Sequence, residues 1–428
     1  MKVLAVLLLA SLVSAKHEVY SGWKSYYVNP STQEQLASLG QLIPYLELDF
    51  ISYASVNRPG VVLVKPYHQE KFIKFLEEEN IDHWVHSEDV KESLDIDDAI
   101  IEEINQKESK FNGVRIPYNN YQPLEVIYQY IDMIAEKYPE VATLVTPANS
   151  FGGIPIKYLK ISKNKFQGNK PVIIIDAAMH AREWITPPTV TYAIHKLVEN
   201  VTEPDLLENF DWILLPVANP DGYKYSFEKE RFWRKTRSTD QHPTSRLCPG
   251  VDGNRNFNFV WNTIGTSNNP CSDIYAGARP HSEIEVRVVE NIITEHLDNA
   301  LMYLTMHSFG SYILYPWGHD GSLPPNAFAL HLVGVEMADA ITNVQLPNFP
   351  KYRVGNAVTT LGYPASGAAE DYAHMRGVPL SYTYELPGLR SGFQGFHLDP
   401  RYIRQVSEET WIGIVAGVRR SLQFASNK

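Results

Sequence analysis

The stretch Val172-Ile173-Ile174-Ile175-Asp176-Ala177-Ala178-Met179-His180-Ala181-Arg182-Glu183-Trp184 decides how the chain reads. Its first four residues are apolar and β-branched, with nothing polar at alternate positions. Such a run reads as a strand buried on both faces, the state of a strand in a sheet covered by helices on each side. The run ends at Asp176 and is followed at once by a histidine, an arginine and a glutamate. Ligands of open α/β sheets collect beyond the carboxyl ends of strands. One stretch therefore marks both the core and a candidate site. His180 and Glu183 are three apart and in a helical turn can face one point. A neutral imidazole and a carboxylate suit zinc, and catalytic zinc commonly takes two His, one Glu and a water. A lone His-x-x-Glu is also common as a surface helix pair, so a third ligand is needed at another strand end. His307 closes the predicted strand 301–307, although by itself it reads equally as a core or surface histidine.

Working outward, strands are predicted at 142–145, 156–162, 212–217 and 380–385. Helices are predicted at 124–137, 188–200, 326–341 and 403–423. The alternation implies an α/β fold with a large mixed, mostly parallel sheet flanked by helices. Upstream, 24–28, 48–52, 61–64 and 83–87 read as strands and 32–39 and 69–79 as helices. The order βαββαβ gives a small α+β unit with an antiparallel sheet and helices on one face. Residues 89–110 are charge-rich and read as a helical or flexible connector, with Lys107 and Lys110 as basic cleavage points. Residues 1–15 combine a basic start, a short apolar run and a small-x-small exit, the pattern of a cleaved secretory leader. No later run reaches the roughly 20 apolar residues of a membrane span. Secretion implies an oxidising compartment in which Cys248 and Cys271, the only two cysteines, pair; two free buried thiols are the alternative. Asn200-Val201-Thr202 is a glycosylation sequon.

The 428 residues are 44% apolar and 20% charged, a globular profile, with a net charge of −11. An acidic chain argues against nucleic-acid binding, which needs a basic face. The acidity is uneven. Residues 16–110 hold 18 acidic and 9 basic residues, leaving 111–428 nearly balanced.

Two further groups carry chemistry. Arg231, Arg234 and Lys235, with Asn254-Arg255, supply cations of the kind that hold carboxylates and stabilise oxyanions; each cluster alone also reads as a solvated basic surface. Glu385 ends an apolar strand, where a carboxylate must be paired or functional.

His180-x-x-Glu183, Arg234, Asn254-Arg255, His307, Tyr363 and Glu385 stand in the order and spacing of zinc carboxypeptidases of the A/B type, which the chain resembles from the end of the leader onward. The resemblance implies one Zn²⁺ held by His180, Glu183 and His307, with Asp252 orienting His180. It implies Glu385 as the base, Arg234 on the oxyanion, and Asn254, Arg255 and Tyr363 on the substrate's terminal carboxylate. Arg182, Ser308 and Phe309 fall at substrate-binding positions, and Cys248–Cys271 matches the family's disulfide. Residues 16–110 resemble the activation segment and 111–428 the catalytic domain. That layout implies a digestive zymogen, activated by a trypsin-like protease, monomeric, acting on peptide and protein C-termini, and open to proteinaceous carboxypeptidase inhibitors.

The family's specificity position, seven after Tyr363, is Glu370. B-type members carry Asp there and A-type members an apolar residue. An acid at the base of an apolar pocket wants a basic partner. C-terminal Lys is expected, and Arg less so, because the longer Glu makes the pocket shallower. Glu370 turned away from the pocket is the alternative, and would fit an A-type or broad-specificity enzyme. An inactive protein that captures peptide C-termini is a third reading, which the full ligand set argues against. Phe309 stands where the family usually has tyrosine, and one extra residue precedes Tyr363. The negative charge of 16–110 is expected to cover a basic mouth formed by Arg182, Arg231, Arg234 and Arg255.

Overall fold

The structure, a computed structural model, describes residues 16–52, 54–107, 116–388 and 395–427. The predicted leader and Lys110 lie outside these residues. Two sheets organise the chain. The first contains β1 (Lys24–Asn29), β2 (Asp49–Ser52), β3 (Gly60–Val64) and β4 (Asp82–Ser87) in the order β2-β3-β1-β4, every pair antiparallel. Helices Gln33–Leu46 and Gln69–Glu78 pack on it through Leu36, Leu39, Leu46, Phe72 and Leu76. The first helix runs about two turns beyond the predicted 32–39. Gly40 lowers the local helix propensity, but the apolar face continues past it to buried Leu46. The connector is helical, Val90–Lys107.

The second sheet has eight strands: β5 (Ala142–Asn149), β6 (Pro155–Ile161), β7 (Val172–Ala177), β8 (Asp211–Leu215), β9 (Ala300–Ser308), β10 (Tyr312–Tyr315), β11 (Arg353–Asn356) and β12 (Leu380–Leu386). Their order is β11-β10-β12-β9-β7-β8-β6-β5. The central run β12-β9-β7-β8 is parallel, and antiparallel pairs lie outside it. All of β7 is buried, as its composition predicts. Ile173 and Ile175 face one core with helices Leu124–Lys137, Thr186–Val198, Ala327–Thr342 and Ile403–Ser421. Val172 and Ile174 face the other core with Ile284–Glu295 and Ala369–Arg376. Burial on both faces is what excludes polar residues from such a strand.

The parallel registers set Asp176 opposite Thr305 and His307 opposite Glu385. The carboxyl ends of β7, β9 and β12 therefore open onto the same edge. Among the described residues no helix is long and apolar enough to cross a membrane.

Candidate metal and active site

The site begins with an abrupt exit from β7. Ala178 adopts a left-handed φ of 52°, uncommon for a residue with a Cβ. Thr186 Oγ1 accepts its N–H at 3.1 Å. His180 and Glu183 consequently lie in a turn ahead of helix Thr186–Val198, with the Glu183 N–H donating to the His180 carbonyl at 3.3 Å. His307 arrives from β9. His180 Nδ1 is 2.8 Å from Glu183 Oε1, and His307 Nδ1 is 3.0 Å from both His180 Nδ1 and Glu183 Oε2. All three side chains are buried.

Two imidazole nitrogens 3.0 Å apart beside a carboxylate cannot all be satisfied by hydrogen bonds, since at most one proton lies between the rings. Zinc ligands about 2.0–2.1 Å from a tetrahedral ion sit about 3.3 Å from one another. The donor set thus converges on one cation. The opposite ring nitrogens fix the tautomers: His180 Nε2 is 3.0 Å from Asp252 Oδ1, and His307 Nε2 is 3.2 Å from Thr305 Oγ1. Both contacts leave Nδ1 as the lone-pair donor. Burial lowers His307, but the adjoining Glu183 carboxylate more than offsets it and raises the imidazole to about 9. Burial raises Glu183, and His180 and His307 outweigh it, holding the carboxyl well below its ordinary range. Burial, then Arg234, lowers His180, which keeps its imidazole neutral and its Nδ1 lone pair free for a metal.

Asp252 is the hub beside it. It bonds His180, accepts from Arg234 Nε at 3.0 Å and Nη2 at 2.9 Å, and caps the Asn254 N–H at 3.0 Å. Burial raises this carboxyl, and Arg234 and His180 more than reverse that, leaving it well below the usual carboxylate range. Arg255 is held by the carbonyls of Gly265 (2.9 Å) and Asn254 (2.8 Å). Asn254 Oδ1 accepts the Ala369 N–H at 2.8 Å, tying the cationic segment to the helix that carries Glu370. Tyr363, Ser308, Phe309 and Glu385 complete the cleft around the triad. Burial pushes Glu385 up to about 7, against the lowering effect of His307; a cation at the triad draws it down.

Glu370 points into this cleft and is 4% exposed. Its Oε2 has no hydrogen-bond partner among the described residues, and neither has Ser308 Oγ. Burial, then the neighbouring Asp371, raises Glu370 to about 7. Asp371 itself turns aside and accepts the Gly318 N–H at 2.8 and 2.9 Å. Thr383 also lines the cleft. Sequence reasoning missed it, although its place two residues before Glu385 puts both on one strand face. Cys248 and Cys271 form a disulfide with Cα atoms 4.8 Å apart. Asn200 is exposed just beyond helix Thr186–Val198.

The amino-terminal unit reaches into the cleft, which Phe50 and Ile51 help to line. Arg182 is buried and gripped bidentately by Asp49, with Nη1–Oδ2 at 2.5 Å and Nη2–Oδ1 at 2.7 Å. Leu36 packs against Gly362, whose φ of 86° and lack of Cβ both admit the contact. Arg58 donates to the Gly310 carbonyl and stacks over Tyr312 at 4.5 Å. Acids of the unit act on Arg182 and Arg231, but not on all four arginines expected: Arg234 is paired within the catalytic domain and Arg255 is held by backbone carbonyls. Arg231 stacks on Trp184 at 3.6 Å and donates to the Arg182 carbonyl, while Arg234 pairs with Asp252. Many acids of the unit pair within it: Glu47 with Lys65, Glu88 with Lys24, Asp95 with Lys91 and Asp98 with Lys16. The electrostatic contact is made by a few specific acids: Asp49, which nothing in the sequence distinguished, grips Arg182, Asp97 pairs with His397, and Asp97 and Asp98 lie close enough to act on the Arg231 charge.

Comparison with known proteins gives the same picture. Residues 127–413 match the zinc carboxypeptidase family, and residues 26–97 match the carboxypeptidase activation peptide. Carboxypeptidase B of Helicoverpa zea is 61% identical over 98% of this chain and 99% of that protein. The crystal structure of carboxypeptidase A from Helicoverpa armigera superposes with a TM-score of 0.90 at 42% identity, covering 96% of this chain and 99% of that one. Bovine thrombin-activatable fibrinolysis inhibitor, solved in complex with tick carboxypeptidase inhibitor, is 32% identical with a TM-score of 0.66, over 72% of this chain and 99% of that one. With a converged His-Glu-His donor set and both segments matched, this chain, a zymogen with its activation peptide, belongs to the zinc carboxypeptidase family.

Proposed function

We propose that this chain is the secreted, digestive zymogen of a monomeric exopeptidase that removes C-terminal lysine, and less readily arginine, from peptides. The leader is 1–15, the activation segment 16–110 and the catalytic domain 111–428. The two family matches fall on either side of residue 110, which supports that division.

The observation that carries the specificity is Glu370, a buried carboxylate aimed into the cleft and paired with no cation among the described residues, with the Thr383 hydroxyl acting on it from beside it. Burying an unpaired carboxylate costs several kcal/mol, and a basic substrate side chain removes that penalty. A compact ammonium needs less depth than a planar guanidinium. The apolar wall formed by Leu314, Ala365 and Ala368 suits the stem of such a side chain.

His180, Glu183 and His307 hold the zinc. A bound Zn²⁺ supplies Lewis acidity, polarising the scissile carbonyl and acidifying a water. Glu385 takes a proton from the attacking water and passes it to the leaving amine. Arg234, fixed by Asp252, sets its charge against the oxyanion. Asn254, Arg255 and Tyr363 hold the terminal carboxylate, which restricts cleavage to the last residue. Ser308 and Phe309 border the substrate, and Arg182 serves an outer subsite that Asp49 fills in the uncleaved chain. Cleavage near Lys107 or Lys110 by a trypsin-like protease lets Asp49, Phe50 and Ile51 leave. The inhibitor complex of the bovine relative supports an open cleft that accepts a proteinaceous inhibitor.

The test is Glu370→Gln in the trypsin-activated enzyme. Its kcat/KM for peptides ending in lysine should fall about 10- to 100-fold, the worth of a hydrogen bond to a charged group, while phenylalanine peptides hold or gain. An unchanged lysine-to-phenylalanine ratio would sink the specificity claim.

A further inference from the structure

Asp176 is an acid that the mechanism above leaves unused. It lies at the carboxyl end of β7, is 1% exposed, and forms no ion pair among the described residues. Two hydroxyls serve its carboxylate. The Tyr303 hydroxyl donates to Oδ2 at 2.5 Å, and Thr305 Oγ1 donates to Oδ1 at 2.9 Å. Thr305 Oγ1 is in turn 3.2 Å from His307 Nε2. The parallel register places Asp176 opposite Thr305, and Thr305 shares a strand face with His307 two residues on.

The proton directions follow from the metal side. His307 Nδ1 faces His180 and Glu183, so Nε2 carries the hydrogen and donates to Thr305. Thr305 has one proton, and it goes to Asp176. The relay runs one way, from His307 through Thr305 to Asp176, and Tyr303 closes the far oxygen. Charge points the same way. A buried carboxylate held only by hydroxyls is expensive unless compensating positive charge is near. Asp252 has Arg234. Glu183 is one compensating carboxylate at the triad, and Asp176, behind His307, is a second.

We propose that Asp176 is a positioning residue of the metal centre: acting through Thr305, it fixes the tautomer and ring orientation of His307, as Asp252 does directly for His180. This rests on the reading of His307 as a zinc ligand. The test uses the full-length proprotein, with zinc affinity measured by competition against a chelator of known strength. Unfolding of the metal-stripped protein is followed in parallel. Thr305→Val keeps the shape and cuts the relay; measured on stripped protein that is still folded, it should weaken zinc binding about 10-fold or more, alongside whatever stability the unpaired Asp176 oxygen costs. Thr305→Ser should restore affinity to within about 3-fold, and Asp176→Asn should weaken it about as much as Thr305→Val. Wild-type affinity in Thr305→Val overturns the relay, as does a Thr305→Ser protein no better than the valine variant. His307→Ala separates the two claims. Zinc retained at wild-type affinity refutes His307 as a ligand and the relay with it; zinc lost there but unchanged in Thr305→Val refutes the relay alone.

Discussion

Asp49→Asn probes how the activation segment silences the enzyme. The carboxylate it removes makes a buried bidentate pair with Arg182. Removing one partner of a buried pair generally costs about 3–5 kcal/mol, because the other charge is stranded. Two features reduce that here. Asparagine keeps one acceptor oxygen for Arg182. Asp49 also raises the pKa of Asp273, so losing its charge relieves a repulsion between two acids. A net loss of about 2–3 kcal/mol corresponds to about 30- to 150-fold more of the open form. Arg58, Leu36, Phe50 and Ile51 still hold the unit in place, so the variant should remain a zymogen, but a leaky one. The assay is hydrolysis of an N-blocked peptide ending in lysine by uncleaved protein, then again after tryptic activation. Before cleavage the variant should be about 30- to 150-fold more active than wild type; after cleavage the two should match, since Asp49 has left. An uncleaved variant as silent as wild type, or a cleaved one that is impaired, refutes the reasoning.

Other perturbations reach different parts of the account. Glu370 must be ionised to pair with an ammonium, and burial holds it at about 7, so kcat/KM for lysine peptides should rise with pH through that value while phenylalanine peptides lack this limb. A lysine-to-phenylalanine ratio that stays flat from about pH 5.5 to 8.5 counts against that role. Glu385→Ala should abolish turnover yet retain zinc and fold; residual rates near wild type would remove Glu385 from the mechanism. Glu409 is raised by burial from 4.5 to about 7 in the folded protein. The native state therefore binds its proton more tightly, and about 3 kcal/mol of stability present below the unfolded pKa is lost as pH rises through about 7. Glu409→Gln should remove that loss, so the wild-type Tm should drop relative to the variant between about pH 5 and 8. Replacing both Cys248 and Cys271 by serine should cost about 3 kcal/mol in urea unfolding, and an unchanged midpoint would contradict the value of closing that loop.

What was legible in sequence follows from what leaves a local trace. Burial on both faces forces an unbroken apolar run, so β7 could be read directly from Val172-Ile173-Ile174-Ile175. Metal chemistry needs particular residue types, so His180, Glu183, His307 and Glu385 stood out once their order was seen. Short elements did not. β10 and β11 have four residues each, too few to show a period, and helix Ala369–Arg376 mixes buried Glu370 and Asp371 with alanines, so it has no apolar stripe. Contacts that depend on tertiary register were invisible for a deeper reason. Asp49 is one of 18 acids in its segment, and only the docking of β2 on the enzyme gives it a special partner. Asp176 likewise gains meaning from its position opposite Thr305.

The most direct test of the whole account is a substrate panel on the trypsin-activated enzyme: otherwise identical peptides ending in lysine, arginine, phenylalanine and glutamate, each with a zinc chelator and after zinc is restored. The account predicts fastest release of lysine, then arginine, with activity lost to the chelator and recovered with zinc. Fastest release of phenylalanine, or turnover that survives chelation, would contradict it.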